Sequence, residues 1–212
     1  MQQQDSKAYT ELTEDLGKLA AACEGVEGAW LLGGSCGLWL QGVELAAAPR
    51  DIDIYADLAT TDRLHERLER FATDAPHRDR SGIYTSLLSH YRMGESTVEL
   101  VGGFEVHPDG ALYRTEVEAL LAPTAPRVML REAAFSVMPL AHELVFNLLR
   151  ERPDRYLPIA ARIRKAPERH LPLLDELLKR NGWSADLVGR MAELLDQPLL
   201  SRPWSEYRGG EV

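Results

Sequence analysis

Apolar residues recur along this chain with two different periods, and the switch between them maps its elements. From Thr10 to Cys23, the residues Leu12, Leu16, Leu19 and Cys23 fall at helical spacing, and Gly25 follows as a stop. Ala29-Trp30-Leu31-Leu32 is a short apolar run closed by Gly33-Gly34-Ser35, the pattern of a buried strand entering a tight turn. Residues 36–41 predict a helix capped by Ser35. Ile52 and Ile54 then alternate with Asp51 and Asp53, a period of two that predicts a strand with one apolar and one acidic face. Thr61 stands as the cap of a helix whose apolar side is Leu64, Leu68 and Phe71, and residues 74–80 read as a polar loop. Residues 83–91 and 97–101 read as strands turned by Met93-Gly94-Glu95, and Pro108-Asp109-Gly110 marks another turn. Residues 127–130 and 134–137 each predict a short edge strand.

Beyond Pro139 the helical period takes over. Pro139 suits the first turn of a helix, and Leu140, Leu144 and Leu148 follow at four-residue intervals. Further helices fit residues 157–165, 171–180 and 184–196, separated by Pro167 and Gly182, and Pro198 follows the last of them. The tail 204–212, with Gly209-Gly210, reads as loose. The expected class is α/β (α+β): a mixed-sheet lobe over residues 1–138, then a helical lobe over 139–212.

Composition narrows the classes. A chain of 212 residues with 45% hydrophobic and 27% charged residues is too apolar for intrinsic disorder. No apolar run approaches the roughly 20 residues that a membrane span needs. The start, MQQQDSKAYTELTEDL, has neither the basic nor the apolar region of a secretory signal. Only Cys23 and Cys36 occur, so no disulfide framework is expected. The expectation is a cytoplasmic protein with no membrane partner.

Charge is unevenly divided within the net −9. Residues 1–120 carry 10 basic and 21 acidic side chains, whereas 121–212 carry 14 basic and 12 acidic. A wrapper of duplex DNA needs a more basic surface, so duplex DNA is not an expected partner. Between 150 and 169, Arg150, Arg152, Arg155, Arg162, Arg164, Lys165 and Arg169 face only Glu151, Asp154 and Glu168. That run reads either as a solvated helix face with ion pairs or as a patch for triphosphate or RNA.

Three pieces carry candidate chemistry: Gly33-Gly34-Ser35 at a strand end, Asp51-Ile52-Asp53-Ile54 on the next strand, and Val98-Glu99-Leu100 on a later one. Residues i and i+2 of a strand share a face about 7 Å apart. Asp51 and Asp53 therefore present two carboxylates side by side, which repel unless a cation lies between them. A hard divalent ion suits oxygen donors, and Mg²⁺ typically takes one or two protein carboxylates plus phosphate oxygens of a substrate. Glu99 is the third carboxylate, placed by its alternation with Val98 and Leu100. Gly33 and Gly34 let the backbone approach a bulky anion, and Ser35 adds a hydroxyl. The six histidines show no zinc-ligand spacing, Cys36 reads as packing, and no Gly-x4-Gly-Lys-Ser/Thr phosphate loop occurs. Tyr55, Tyr84 and Tyr91 read as packing residues, with stacking on a base as the alternative.

In this order the three pieces resemble the polymerase-β-like nucleotidyltransferase superfamily. Its pattern of a Gly-Gly/Ser turn, an Asp-x-Asp/Glu strand and a later acidic strand is matched by Leu32-Gly33-Gly34-Ser35, Arg50-Asp51-Ile52-Asp53-Ile54 and Thr97-Val98-Glu99-Leu100. The resemblance implies a nucleotidyltransferase lobe with a helical lobe behind it, the site lying in a cleft between them. It implies Asp51, Asp53 and Glu99 as catalytic residues and ligands of one or two Mg²⁺ ions, Glu99 alternatively being the base. Gly33, Gly34 and Ser35 would then bind the nucleotide. It further implies transfer of a nucleoside monophosphate from a nucleoside triphosphate such as ATP to a hydroxyl acceptor, a small molecule or an RNA, with pyrophosphate leaving. The other reading of the same residues is a non-catalytic binding module on this fold, or a toxin–antitoxin component.

Overall fold

Alternating apolar and acidic residues lay the strand β2 (Asp51–Ala56) into a mixed sheet, and the other strands follow from similar patterns. The structure is a computed structural model describing residues 2–108 and 112–200. In chain order, α1 (Gln2–Ala22), β1 (Trp30–Gly33) and α2 (Gly34–Leu40) lead to β2. Next come α3 (Leu58–Leu68), β3 (His77–Asp79), β4 (Tyr84–Met93), β5 (Ser96–Val106) and β6 (Tyr113–Arg114). A short β7 (Arg127–Leu130) and β8 (Ala133–Ser136) precede α4 (Leu140–Leu149), α5 (Pro153–Ile163), α6 (Leu171–Arg180) and α7 (Ala185–Leu195). The chain forms two compact units. One is built from the chain up to Glu105 together with Thr115–Met138, the other from the segment between them together with the chain from Pro139 onward. The segment before Thr115 thus belongs with the helices, not with the first lobe expected over 1–138.

The sheet of the first unit runs β1-β2-β5-β4-β3. β1 lies antiparallel to β2 with Gly33 opposite Asp53, and β2 lies parallel to β5 with Asp53 opposite Glu99. One face of these strands is largely apolar. Ile52, Ile54, Val98, Leu100, Tyr91 and Met93 are buried in a core that includes Leu12, Leu16, Leu19 and Cys23 of α1 and Leu64 and Leu68 of α3. Fully burying one such aliphatic side chain contributes about 1.5–3 kcal/mol. A one-residue slip would turn the acids inward, so the core sets the register. The turn Gly94-Glu95 is anchored from α1: the buried Asp15 carboxylate accepts the amides of Glu95 and Ser96 at 2.9 and 3.0 Å. Lys18 neutralises Asp15 at 2.7 Å.

Several local expectations are corrected. α1 continues to Gln2, well before Thr10, through a polar first half that shows no apolar period. Ser35 does not cap α2; it lies inside it, Gly33 being the N-cap, and its hydroxyl turns toward Asp51. Thr61 does not cap α3, which starts at Leu58 after Asp57; its hydroxyl instead donates back to the Asp57 carbonyl. The Asp57 carboxylate is engaged elsewhere, accepting the amides of Val117 and Glu118. Phe71 falls in a 3₁₀ turn beyond the helix. The polar stretch 74–80 contains β3, an edge strand whose outer residues need no apolar pattern. β7 and β8 pair with each other, joined through Arg131 at φ 53°, and just past β8 Val137 bridges Leu32 in parallel at the β1 edge of the main sheet. Asp109, Gly110 and the tail 204–212 lie outside the described residues.

In the second unit every residue of α4 is buried, including His142, Glu143 and Asn147. The Tyr113 hydroxyl bonds His142 Nδ1, and Asn147 Nδ2 donates to the Glu143 carbonyl and, at 3.3 Å, to its carboxylate. Complete burial drives the His142 pKa down to about 3. Trp183 Nε1 donates to the Leu177 carbonyl, and Ser184 caps α7 by accepting the amide of Leu187. Among the described residues no helix is long and apolar enough to cross a membrane.

Candidate active site

The face of the sheet opposite the apolar core collects the sequence-predicted residues. Asp51 and Asp53 alternate with buried Ile52 and Ile54 and stand half-buried on the far side of β2. Their register partners on β5 are Thr97 and Glu99, so Glu99 shares the face of both aspartates and is itself 35% exposed. Gly33, Asp53 and Glu99 form one cross-strand row over β1, β2 and β5. The neighbouring aspartates of β2 and the sequence-distant Glu99 of β5 thus stand on one face of the sheet.

Gly34 is fitted to this row. It takes φ +56°, and a Cβ built on it would stand 1.8 Å from Asp53 Oδ2. Backbone and carboxylate are therefore in direct apposition, an approach that only a glycine allows. One residue on, the Ser35 hydroxyl lies 3.5 Å from Asp51 Oδ1, the outer limit of a hydrogen bond, and Cys36 Sγ donates to the Asp51 carbonyl at 3.1 Å. All six predicted residues are accordingly gathered around the β1–α2 turn and the adjoining strands. Burial raises the Cys36 thiol, and the negative field of Asp53 and Asp51 raises it further, so Cys36 is a protonated packing group.

A hard divalent ion suits this donor set. Among the described residues no group of three or more His, Cys, Asp or Glu side chains is placed to hold a metal ion. An Mg²⁺ site does not require one, because one or two carboxylates complete their octahedron with water and substrate phosphate oxygens. Asp51 and Asp53 supply that pair, with Ser35 beside one and the Gly34 backbone against the other.

A fourth side chain extends the row, and the sequence reading passed over it. His90 on β4 places Nε2 3.9 Å from Glu99 Oε1, while its Nδ1 lies 2.6 Å from Asp74 Oδ2. The usable signal was the two-residue turn Gly94-Glu95: counting back along both strands brings His90 opposite Glu99. The aromatic candidates are engaged in packing, Tyr55 on the same face of β2 as the aspartates with its ring against Gly33. Tyr55 and Tyr84 each pack on Phe104 at 5.9 Å, and the Tyr91 hydroxyl is tied to Ser89 and His65, each at 2.8 Å. In the second unit, the basic stretch is largely engaged locally. Arg152 and Arg155 pair with Asp154, Arg150 lies over the Phe146 ring, and Arg164 donates to the Leu194 carbonyl.

This mixed sheet with its helices has the polymerase-β-like nucleotidyltransferase fold. A protein of Thermotoga maritima, TM1012, described as a candidate nucleotidyltransferase, superposes with a TM-score of 0.59 at 20% identity, covering 75% of this chain and 94% of its own. The antibiotic-resistance factor ANT(2'')-Ia superposes with a TM-score of 0.51 at 12% identity, covering 81% of this chain and 93% of its own. No protein-family model and no curated protein matches the sequence.

Proposed function

We infer that this chain is a metal-dependent nucleotidyltransferase. It would move a nucleoside monophosphate from a nucleoside triphosphate to a hydroxyl acceptor. The observation that carries the reading is the Asp53–Glu99 register with Asp51 on the same face, Asp53 lying directly against the Gly34 backbone. Asp51 and Asp53 hold one or two Mg²⁺ ions, which supply charge neutralisation and alignment for an in-line displacement. Gly33, Gly34 and Ser35 seat the triphosphate through backbone amides and the serine hydroxyl. Glu99 completes the carboxylate set as third ligand or as the acceptor of the proton released by the attacking hydroxyl. The hydroxyl oxygen bonds the α-phosphorus as the bond to pyrophosphate breaks. Most of the rate enhancement then comes from positioning and fixed charge. The superposition on an antibiotic-resistance factor favours a small-molecule hydroxyl over an RNA as acceptor.

The test is pyrophosphate release from each of the four nucleoside triphosphates with Mg²⁺, against a panel of small acceptors and total tRNA, with mass detection of the adduct. Asp51→Asn combined with Asp53→Asn is expected to abolish release. An undiminished rate in that double variant would overturn the reading.

A further inference from the structure

Three successive residues of the β1–α2 turn meet three alternate residues of β2. Ser35 Oγ lies 3.5 Å from Asp51 Oδ1. A Cβ built on Gly34 would stand 1.8 Å from Asp53 Oδ2. A Cβ built on Gly33 would stand 2.7 and 2.9 Å from Cε2 and Cδ2 of the Tyr55 ring. Residues 51, 53 and 55 share one face of the strand, so that face of β2 follows the turn residue by residue. The first two contacts join groups already placed in the site. The third joins the start of the turn to an aromatic ring that is only 6% exposed.

The two glycines are glycines for different reasons. Gly34 takes φ +56°, a conformation that side chains disfavour whatever the space. Gly33 takes φ −119° and ψ −155°, extended backbone that other residues also adopt. What bars a side chain at Gly33 is therefore the Tyr55 ring, together with Met138 Cγ at 3.0 Å. Phe104 packs on the same ring at 5.9 Å and stacks in turn on Tyr84 at 5.9 Å. A turn resting on a ring held in this way keeps Gly34 against the Asp53 carboxylate and Ser35 beside that of Asp51.

We propose that Tyr55 is a positioning residue for the triphosphate, its ring being the stop against which the Gly33-Gly34-Ser35 turn is seated. This rests on the nucleotidyltransferase reading for the identity of the ligand, and it adds a residue that neither the carboxylate spacing nor the glycine turn implies. Binding groups must be held within about 0.5 Å of the productive geometry. A turn without its stop therefore loses affinity even though every donor is still present.

The test is a double-mutant cycle on the full chain, with Gly33→Ala and Tyr55→Val made singly and together. Binding of MgATP, MgGTP, MgCTP and MgUTP is read by calorimetry, and thermal unfolding is recorded alongside. Each single substitution is expected to weaken triphosphate binding by roughly 10-fold. Gly33→Ala does so by driving its methyl into the ring, and Tyr55→Val by removing the ring. The double variant should bind no more weakly than Tyr55→Val alone, because the shorter side chain leaves room for the methyl. Tyr55→Phe keeps the ring and should restore binding to that of the parent.

Equal affinities in the parent and both single variants would overturn the proposal. So would coupling in thermal unfolding without coupling in binding, which would make Tyr55 a packing residue alone. A loss in Tyr55→Phe as large as that in Tyr55→Val would assign the effect to the hydroxyl and overturn the stop as well. Should Tyr55→Val fail to fold, Gly33→Ala still decides, since undiminished binding there would also overturn it. A parent that binds a triphosphate without turning it over, with the expected cycle, would leave the positioning role standing and remove the enzyme. A parent that binds none of the four would remove both.

Discussion

The acidic row on β2 and β5 and the interior of α4 both set ionisable side chains against an apolar frame, and they treat them in opposite ways. On the sheet, Asp51, Asp53 and Glu99 stay half-exposed and gather like charges on one face. In α4, His142, Glu143 and Asn147 are buried; His142 Nδ1 bonds the Tyr113 hydroxyl, and the Glu143 carboxylate accepts from Asn147. Burial alone therefore does not mark a site. The mark is an arrangement that costs stability in the protein by itself and is relieved by something that binds.

The contrast predicts opposite signs. The largest effect belongs to the helix. His142→Ala opens a cavity and strips Tyr113 of a buried partner, and should destabilise the chain by about 3 kcal/mol in urea denaturation. A loss below about 1 kcal/mol would break the comparison.

The next effect is the acid limb of stability, read as a slope with pH. Burial holds His142 at about 3 when folded, against its ordinary value of 6.5. Between these values the unfolded chain binds a proton that the folded one refuses. This contribution is therefore full above pH 6.5 and falls by up to about 1.4 kcal/mol per unit as the pH drops toward 3. His142→Asn, whose amide stands where Nδ1 meets Tyr113, should flatten that slope by the same amount. A slope unchanged in the variant would assign the acid sensitivity to other groups.

The smallest effect carries the opposite sign. Asp51→Asn with Asp53→Asn removes like-charge repulsion on the open face. The double variant should match the parent in stability or exceed it by up to about 1 kcal/mol without metal. Adding Mg²⁺ should raise the Tm of the parent only. A clearly destabilised double variant would show that these carboxylates serve the fold.

Much of this was readable in the chain itself because it was periodic. Ile52 and Ile54 declare the buried face of β2, so Asp51 and Asp53 must lie opposite, and Val98 and Leu100 do the same for Glu99. Elements without a period were not readable. β3 is His-Arg-Asp on a sheet edge, and nothing around Asp57 in the chain announces the two distant amides that claim it. The π-helical turn Val117–Leu121 carries Val117, Leu120 and Leu121 at helical spacing, in a run too short to declare a helix. His90 belongs to the same class. Its meaning depends on the turn that sets the hairpin and on Asp74 in a loop, and neither is visible from the residue and its neighbours.

That turn ties the far end of the row to the first helix. Gly94 adopts φ +61° against Asp15, and a Cβ there would stand 2.0 Å from Asp15 Oδ1. Asp15 in α1 thus acts as the locating pin of a two-strand jig. Evolution or an engineer who loosens that pin leaves the aspartates on β2 untouched, yet hands Glu99 and His90 a hairpin free to miscount. Small repairs to activity are then to be sought in the opening helix, far along the chain from any carboxylate that meets the cation.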